Sequence, residues 1–595
     1  MYRPPLKDVR FALHALTDDG RLAGLAAFPD YSAEFADDVL DQAARFAEQR
    51  LAPINALGDR VGARWTPDGV VMPAEFKDAY RQFVDAGWAR LGGPAEQGGL
   101  GAPIVLCSAV EEFWGSANQA FKLCPLLTRG AIEAIEHAGS PEQRALYVPR
   151  MLSGEWTGTM NLTEPQAGSD LGAIRTRAAP DRDGYRIFGQ KIFITYGEHD
   201  LASNIVHLVL ARIDGAPAGT KGISMFIVPK FLVNADGTPG ARNDLRCVSI
   251  EHKLGIRASP TCVMSYGDAG GATGYLVGEP NRGLEYMFVM MNAARLAVGI
   301  EGYALGERAY QQALEWARQR VQGRPAGARP GADGKPATII EHPDVKRMLL
   351  TIKAQTDASR AIALYGALQL DLAAHAADPA ERRAAQARGD LLIPIIKAWS
   401  SERGQVSTSL GLQVHGGMGF IEDTGAAQTM RDVRITTIYE GTTGIQAADL
   451  LGRKLGRDGG AAMAALLDDA RSQLEALGAP APGEVRDSAA AAIAALETLR
   501  QATSGLLRLA ADRRELALAV SVPYLDLCGV VLGGWKMAQS HALAVRDRDQ
   551  DPGFYDGKRQ LARFYLDQLL PAAGGLAQVV AAGAASVIDA DAALL

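Results

Sequence analysis

The stretch Met160-Asn-Leu-Thr-Glu-Pro-Gln-Ala-Gly-Ser-Asp170, followed by Lys191-Ile-Phe-Ile-Thr195, decides how the chain is read, because the hydrophobic period changes there. Upstream, Phe35, Val39, Ala43 and Phe46 recur at helical spacing behind Ser32, a candidate N-cap, and further helical stretches run to about Leu152. Downstream, Tyr185 to Phe188 follow an Asp183-Gly184 turn, Val206, Leu208 and Leu210 alternate with other residues, and the apolar run from Ile223 to Val228 stops at Pro229. Residues from about 155 to 283 therefore read as a β-domain. Helical spacing returns through Leu284, Met287, Phe288 and Met291, and resumes behind Pro343 with Val345, Met348, Leu349 and Ile352. Between these helices the stretch from Arg324 to Thr338 is too rich in Gly and Pro to continue either, and reads as an exposed loop. A break from Gly478 to Gly483 interrupts an Ala-rich helical tail that begins near Ala461. Helices, then strands, then helices argue against alternating βαβ units and a parallel dinucleotide-binding sheet.

The chain has 595 residues, enough for several domains at about 150 residues each, and its 48% hydrophobic and 22% charged residues describe a globular protein with ample core. A net charge of −7 lacks the positive excess that nucleic acid or an anionic bilayer demands. No uninterrupted 20-residue apolar run occurs, and the opening residues lack a signal-peptide core. Cys107, Cys124, Cys247, Cys262 and Cys528 are scattered without a C-x-x-C pair, so neither a disulfide framework nor a zinc site is indicated. The expectation is a cytoplasmic protein without metal, membrane or nucleic-acid partner.

A second informative stretch is Gln413-Val-His-Gly-Gly-Met-Gly-Phe420, then Met430-Arg-Asp432, then Ile438-Tyr-Glu-Gly-Thr-Thr-Gly-Ile-Gln446. With the first stretch, these resemble the acyl-CoA dehydrogenase family, whose members carry E-P-x-A-G-S-D, an aromatic-Ile-Thr strand, a G-G-x-G-[FY] turn and Y-E-G-T in this order. The resemblance spans roughly residues 30 to 455. The opening Met-Tyr-x-x-Pro-x-x-Asp-x-x-Phe-x-Leu pattern and the tail past Leu455 resemble an enlarged bacterial branch with a C-terminal extension, which makes 3-methylmercaptopropionyl-CoA one candidate substrate. The implied fold is mainly α with a central β-barrel. Its expected parts are an N-terminal extension (1–32), a helical domain (33–154), the β-barrel (155–283), a helical bundle (284–455) and a C-terminal helical extension (456–595).

Removing a proton α to a thioester carbonyl needs a carboxylate in a dry pocket within reach of the C–H, and Glu440 suits that task. Tyr-Glu-Gly alone is more often a solvated loop; the ordered motifs make Glu440 the candidate catalytic base. Gly441 lets backbone approach a ligand, and the resemblance implies that it lies against substrate, with the Glu440 N–H holding the thioester oxygen. In the first stretch, Pro165 and Gly168 shape a turn and Thr163 and Ser169 offer short hydroxyls, which would equally make an ordinary Gly/Ser turn. The resemblance places Leu162, Thr163 and Ser169 against FAD, with Ser169 also near the acyl-CoA. Phe193 and Thr195, two apart, face one side of a regular strand and are candidate flavin contacts, although Phe193 alone is as readily a core residue.

Arg320-Val-Gln322 resembles the family's R-x-[QT]-F-G but lacks the aromatic; the resemblance implies that Arg320 and Gln322 reach FAD across a subunit interface. Gln413 and Gly417, in a turn open to adenosine diphosphate, and Thr442 and Gly444, after Glu440, complete the expected FAD contacts. Asn292 and Arg295 share a helix face at i, i+3 and by resemblance hold the CoA moiety, a solvated helix arginine being the plain alternative. His415, with no Ser, Cys or metal partner in the pattern, reads as structural. The expected activity is FAD-dependent α,β-dehydrogenation of an acyl-CoA, with electron-transfer flavoprotein as acceptor and a homo-oligomer, a dimer, as the assembly. An acyl-CoA oxidase of the same fold and a flavin-containing, DNA-associated relative are the rival readings. The acidic balance and intact Glu440 count against the second.

Overall fold

A computed structural model describes residues 2–17, 20–182, 184–324, 337–479 and 481–594. The chain gathers into two compact units, one from Met1–Ala44, Ile104–Ser116 and Val298–Leu595, the other from Arg45–Pro103 and Ala117–Ala297.

The second unit holds the strands. A hairpin of β1 (Arg64–Thr66) and β2 (Gly69–Val71) precedes β3 (Trp156–Asn161), β4 (Arg177–Asp181), β5 (Gly184–Thr195), β6 (Asn204–Ile213) and β7 (Ile223–Pro229). A second hairpin, β8 (Phe231–Val233) and β9 (Pro239–Arg242), leads to β10 (Leu245–Ile250), β11 (Thr261–Tyr266) and β12 (Ala272–Val277). Because β4 pairs with both β5 and β6, the ring β4-β5-β12-β7-β6 closes into a barrel; β11 and β10 continue outward from β5, and β3 runs parallel to β6.

The alternation expected in β6 is real, but both faces are buried. Val206, Leu208 and Leu210, with Ile223, Met225 and Ile227 of β7, pack against Ile132, Ile135, Val148 and Met287 of flanking helices. The intervening Val209 and Ala211, with Phe226 and Val228, fill the barrel with Ile187 and Ile194. A period of two thus sorts the apolar residues of one strand between two cores, because neither face meets water along most of its length.

The first unit is helical. Its long elements include Pro343–His375 and Pro379–His415, together with the part of the Gly283–Gln319 helix from Val298 onward. The tail past residue 455 adds Ala461–Gly478, Gly483–Asp512, Ser521–Arg546, Pro552–Phe564 and Ala572–Ala582. Helix Ser521–Arg546 packs so closely on the bundle that a Cβ at Gly529 would sit 2.1 Å from the Trp399 ring. The N-terminal extension is also part of this body. Asp8, on helix Leu6–Arg10, pairs with Lys353 at 2.6 Å and with Lys558 at 2.5 Å, and Phe11 meets Phe554 edge-on at 5.8 Å.

Ser32 caps the Ala33–Phe46 helix through its Oγ, which accepts from the Phe35 N–H. The buried stripe of that helix is Ala36, Leu40, Ala43 and Ala44, so Phe35 is exposed; small residues form the contact where larger ones were expected to. Of the Gly/Pro loop, residues 325–336 lie outside the described residues, as do Asp183 of the expected turn and Pro480 of the tail break. The neck of the loop is a Val321–Thr338 bridge, with the Gln322 N–H donating to the Ala337 carbonyl at 2.9 Å. All five cysteines are buried and free. Among the described residues no helix is long and apolar enough to cross a membrane.

Candidate active site

In the barrel unit, β3 delivers Leu162 and Thr163, both half-buried, to a loop that returns at β4. The residue that organises this loop is Glu164. Its Oε1 accepts from Lys191 Nζ at 2.8 Å, Thr176 N–H at 3.0 Å and Thr176 Oγ1 at 2.6 Å, while Oε2 accepts from Arg175 N–H and Gln166 Nε2. Lys191 Nζ also donates to the Leu162 carbonyl. Burial would raise the Glu164 pKa, but the Lys191 charge and the hydrogen bonds hold it down to about 2. Burial in turn pulls Lys191 down to about 8 against the attraction of Glu164. With its base fixed, the loop leaves Ser169 exposed, and a Cβ at Gly168 would meet nothing within 4 Å.

Phe193 departs from the regular strand that would put it on the same side as Thr195. The β5–β11 register shifts between Lys191 and Ile194, Phe193 takes φ +59°, and its ring is 58% exposed. Such a bulge re-aims a side chain, and a non-glycine residue in this region costs about 1–3 kcal/mol, held here by the surrounding sheet. Thr195 is half-buried, and its carbonyl accepts from Thr159 Oγ1 at 2.7 Å. Asn292 is half-buried, whereas Arg295, one turn on, is only 3% exposed, so the two differ in environment despite their shared face.

In the helical unit, Glu440 has φ +57° and Gly441 φ +90°, two consecutive left-handed residues of which only the second is relaxed there. Side chains from three helices hold this loop. The fully buried Lys397 donates to the Gly441 carbonyl at 2.7 Å, and Gln446 Nε2 donates to the Glu440 carbonyl at 2.9 Å. The Tyr439 hydroxyl donates to the Glu301 carboxylate, which is wholly buried. Thr442 caps the helix Thr443–Asp449 by accepting from the Ile445 N–H, and Thr443 donates to Glu402 at 2.6 Å. Gly444 is exposed in the first turn of that helix.

Also in this unit, Gly416 ends helix Pro379–His415 at φ +62°, and Gln413 and Gly417 are exposed with open space above Gly417. Arg320 and Gln322 are exposed beyond the Gly283–Gln319 helix. Gln319 and His415 line one cavity of about 300 Å³ together with Trp316, Arg308, Tyr2 and Thr424. His415 donates to the Gly411 carbonyl at 2.7 Å and stacks on Trp316, and burial lowers its pKa. These contacts give it a packing role.

The structure thus collects Leu162, Thr163, Ser169, Phe193, Thr195, Asn292 and Arg295 on one unit, and Arg320, Gln322, Gln413, Gly417, Glu440, Gly441, Thr442 and Gly444 on the other. The motifs did not reveal Lys191, Lys397, Glu301 and Gln446 as anchors. Lys397 left a signal: a lone cation inside Leu391-Leu-Ile-Pro-Ile-Ile-Lys-Ala-Trp399 has to be buried and partnered.

Models of the acyl-CoA dehydrogenase N-terminal, middle and C-terminal domains match residues 34–155, 159–269 and 281–455. An acetyl-CoA dehydrogenase C-terminal-like model matches 459–591. Over 580 residues the chain is 47% identical to 3-methylmercaptopropionyl-CoA dehydrogenase of Ruegeria pomeroyi, covering 96% of each protein. The chain belongs to the acyl-CoA dehydrogenase family. As a member of that family it is an oxidoreductase. It is also 35% identical to a butyryl-CoA dehydrogenase of Syntrophomonas wolfei, over 99% of this chain and 98% of that one. A solved acyl-CoA dehydrogenase from Bacillus anthracis, complexed with FAD, shares the fold with a TM-score of 0.74 at 18% identity, over 98% of this chain and 92% of that one.

Proposed function

We propose that the protein dehydrogenates 3-methylmercaptopropionyl-CoA between its α and β carbons, giving the trans-2-enoyl thioester, with Glu440 as the base. The observation that carries this is the Glu440 loop: a carboxylate on a strained, multiply anchored backbone, followed by a left-handed glycine. The substrate rests on the 47% identical relative of that name.

The cofactor is FAD, in keeping with family membership and the FAD-complexed neighbour. In the barrel unit, exposed Phe193 offers a face to a flat ring; in the helical unit, the open turn at Gly417 suits a phosphate group. Leu162, Thr163, Ser169, Phe193 and Thr195 would hold its flavin part. Arg320, Gln322, Gln413 and Gly417 would hold its diphosphate end, with Thr442 and Gly444 beside Glu440. When bound, it supplies the acceptor for the β-hydride.

The chain's own residues do the rest. Glu440 receives the α-proton on its carboxylate, and its N–H faces the thioester oxygen on which negative charge grows. By the family resemblance, Gly441 and Ser169 would lie against the thioester, and Asn292 and Arg295 would hold the CoA moiety. Electrons would pass on to electron-transfer flavoprotein. The protein works in the cytoplasm as a homodimer; exposed Met418, Phe420 and Ile421 beside the Gly416–Gly417 turn support the dimer.

Anaerobic titration with 3-methylmercaptopropionyl-CoA, butanoyl-CoA and a long-chain thioester, followed at the visible flavin band, tests the reading. The first should bleach the flavin at the lowest concentration. Equal or better bleaching by another thioester would reassign the substrate, and bleaching by none would remove the activity.

A further inference from the structure

Glu301 lies on helix Gly283–Gln319, 138 positions before Tyr439, with none of its surface exposed. Helix interiors seldom bury a carboxylate, since removing the charge from water is costly unless a donor is supplied. Here the donor is the hydroxyl of the residue immediately preceding Glu440. The helix carrying Glu301 is held hard against helix Pro379–His415: a Cβ at Gly302 would lie 2.4 Å from the Ser400 carbonyl oxygen, and one at Gly299 2.6 Å from Ile396. The carboxylate is therefore fixed to the same rigid pair of helices that carries Lys397, the donor to Gly441 on the other side of Glu440.

We infer that Glu301 is a positioning residue for the reaction: through the Tyr439 hydroxyl it fixes the left-handed backbone of Glu440, so that the carboxylate meets the α-carbon in a reactive geometry. Two flanking clamps are needed because Glu440 has no glycine's freedom at φ +57°. Lys397 and Gln446 act on backbone carbonyls at and after Glu440, whereas Glu301 governs the side before it. Without it the strained residue can relax toward ordinary φ and swing the carboxylate away, a displacement to which proton transfer is steeply sensitive. The inference rests on Glu440 being the base.

The test uses the FAD-loaded protein and reads single-turnover flavin bleaching, apparent substrate affinity and flavin content for Glu301→Ala, Glu301→Gln, Tyr439→Phe, the Glu301→Ala/Tyr439→Phe pair and Glu440→Gln. Glu301→Ala and Tyr439→Phe should each slow bleaching roughly tenfold to a hundredfold, with affinity and flavin content close to wild type. The pair should be no slower than either alone. Glu301→Gln, whose amide oxygen still accepts from the phenol, should recover most of the rate. Bleaching by Glu301→Ala within about twofold of wild type would overturn the inference, as would a Glu301→Gln protein no better than Glu301→Ala. Should Glu301→Ala fail to fold, Tyr439→Phe takes its place: bleaching by Tyr439→Phe within about twofold of wild type, or by Glu301→Gln no faster than by Tyr439→Phe, would overturn the inference. Wild-type bleaching by Glu440→Gln would instead remove the base assignment itself, whatever the Glu301 variants do.

Discussion

The loop of candidate residues in the barrel unit and the one in the helical unit are fastened in opposite ways. The loop from Leu162 to Thr176 is fixed by a charge pair, Glu164 with Lys191, enclosed in the barrel unit and saturated with hydrogen bonds. The loop from Tyr439 to Thr442 is fixed by donors to its main chain, from Lys397 and Gln446, and by one phenol–carboxylate contact. The first arrangement ties loop geometry to the stability of the unit, since neither charge can be removed without stranding the other. The second ties loop geometry to local backbone conformation, so its loss should appear in rate before it appears in stability.

The largest effect expected from that contrast is on Lys191→Met, which leaves the Glu164 carboxylate buried without a cation and should cost about 3–5 kcal/mol in chemical denaturation. Adding Glu164→Gln should return part of that loss. A lone Lys191→Met within about 1 kcal/mol of wild type would show that the pair does not hold the barrel loop.

Acid should act through the same pair. The Glu164 pKa lies below its ordinary value of 4.5, at about 2, so its contribution is fully present above about pH 4.5 and is lost as pH falls toward 2. At about 1.4 kcal/mol per pH unit, up to about 3 kcal/mol of stability should vanish over that window. The Glu164→Gln/Lys191→Met protein should have a correspondingly flatter acid limb.

The smallest stability effect, about 1 kcal/mol, belongs to Lys397→Met, because Gln446 still donates to the Gly441 carbonyl at 3.2 Å. Flavin bleaching should nonetheless slow by roughly tenfold or more. A Lys397→Met protein with normal rate and a large stability loss would reverse the assignment of the two loops.

How much of this was legible in the sequence follows from sequence distance. The helix–strand–helix order, the cap at Ser32, the run of β7 and the break near Gly478 are local patterns, and local patterns survive folding. The closure of the barrel was not local: it depends on β4 pairing with two strands at once, for which no residue in Arg177–Asp181 gives a sign. Glu164 stood inside the most informative motif and Lys191 opened the next, yet their pairing needs the fold to bring β5 under the loop. Phe193 departed from period-two reasoning because a bulge re-aimed it. Lys397 and Glu301 are 44 and 138 positions from their contacts, beyond the reach of any spacing rule. The motifs are local, whereas the residues that hold them in place come from elsewhere in the chain.

The central claim is that Glu440 takes the α-proton, and anaerobic single-turnover bleaching of wild type and Glu440→Gln by 3-methylmercaptopropionyl-CoA tests it most directly. The account predicts that Glu440→Gln retains flavin and binds the thioester, yet bleaches at least about a hundredfold more slowly than wild type. Bleaching by Glu440→Gln within about tenfold of wild type would contradict it.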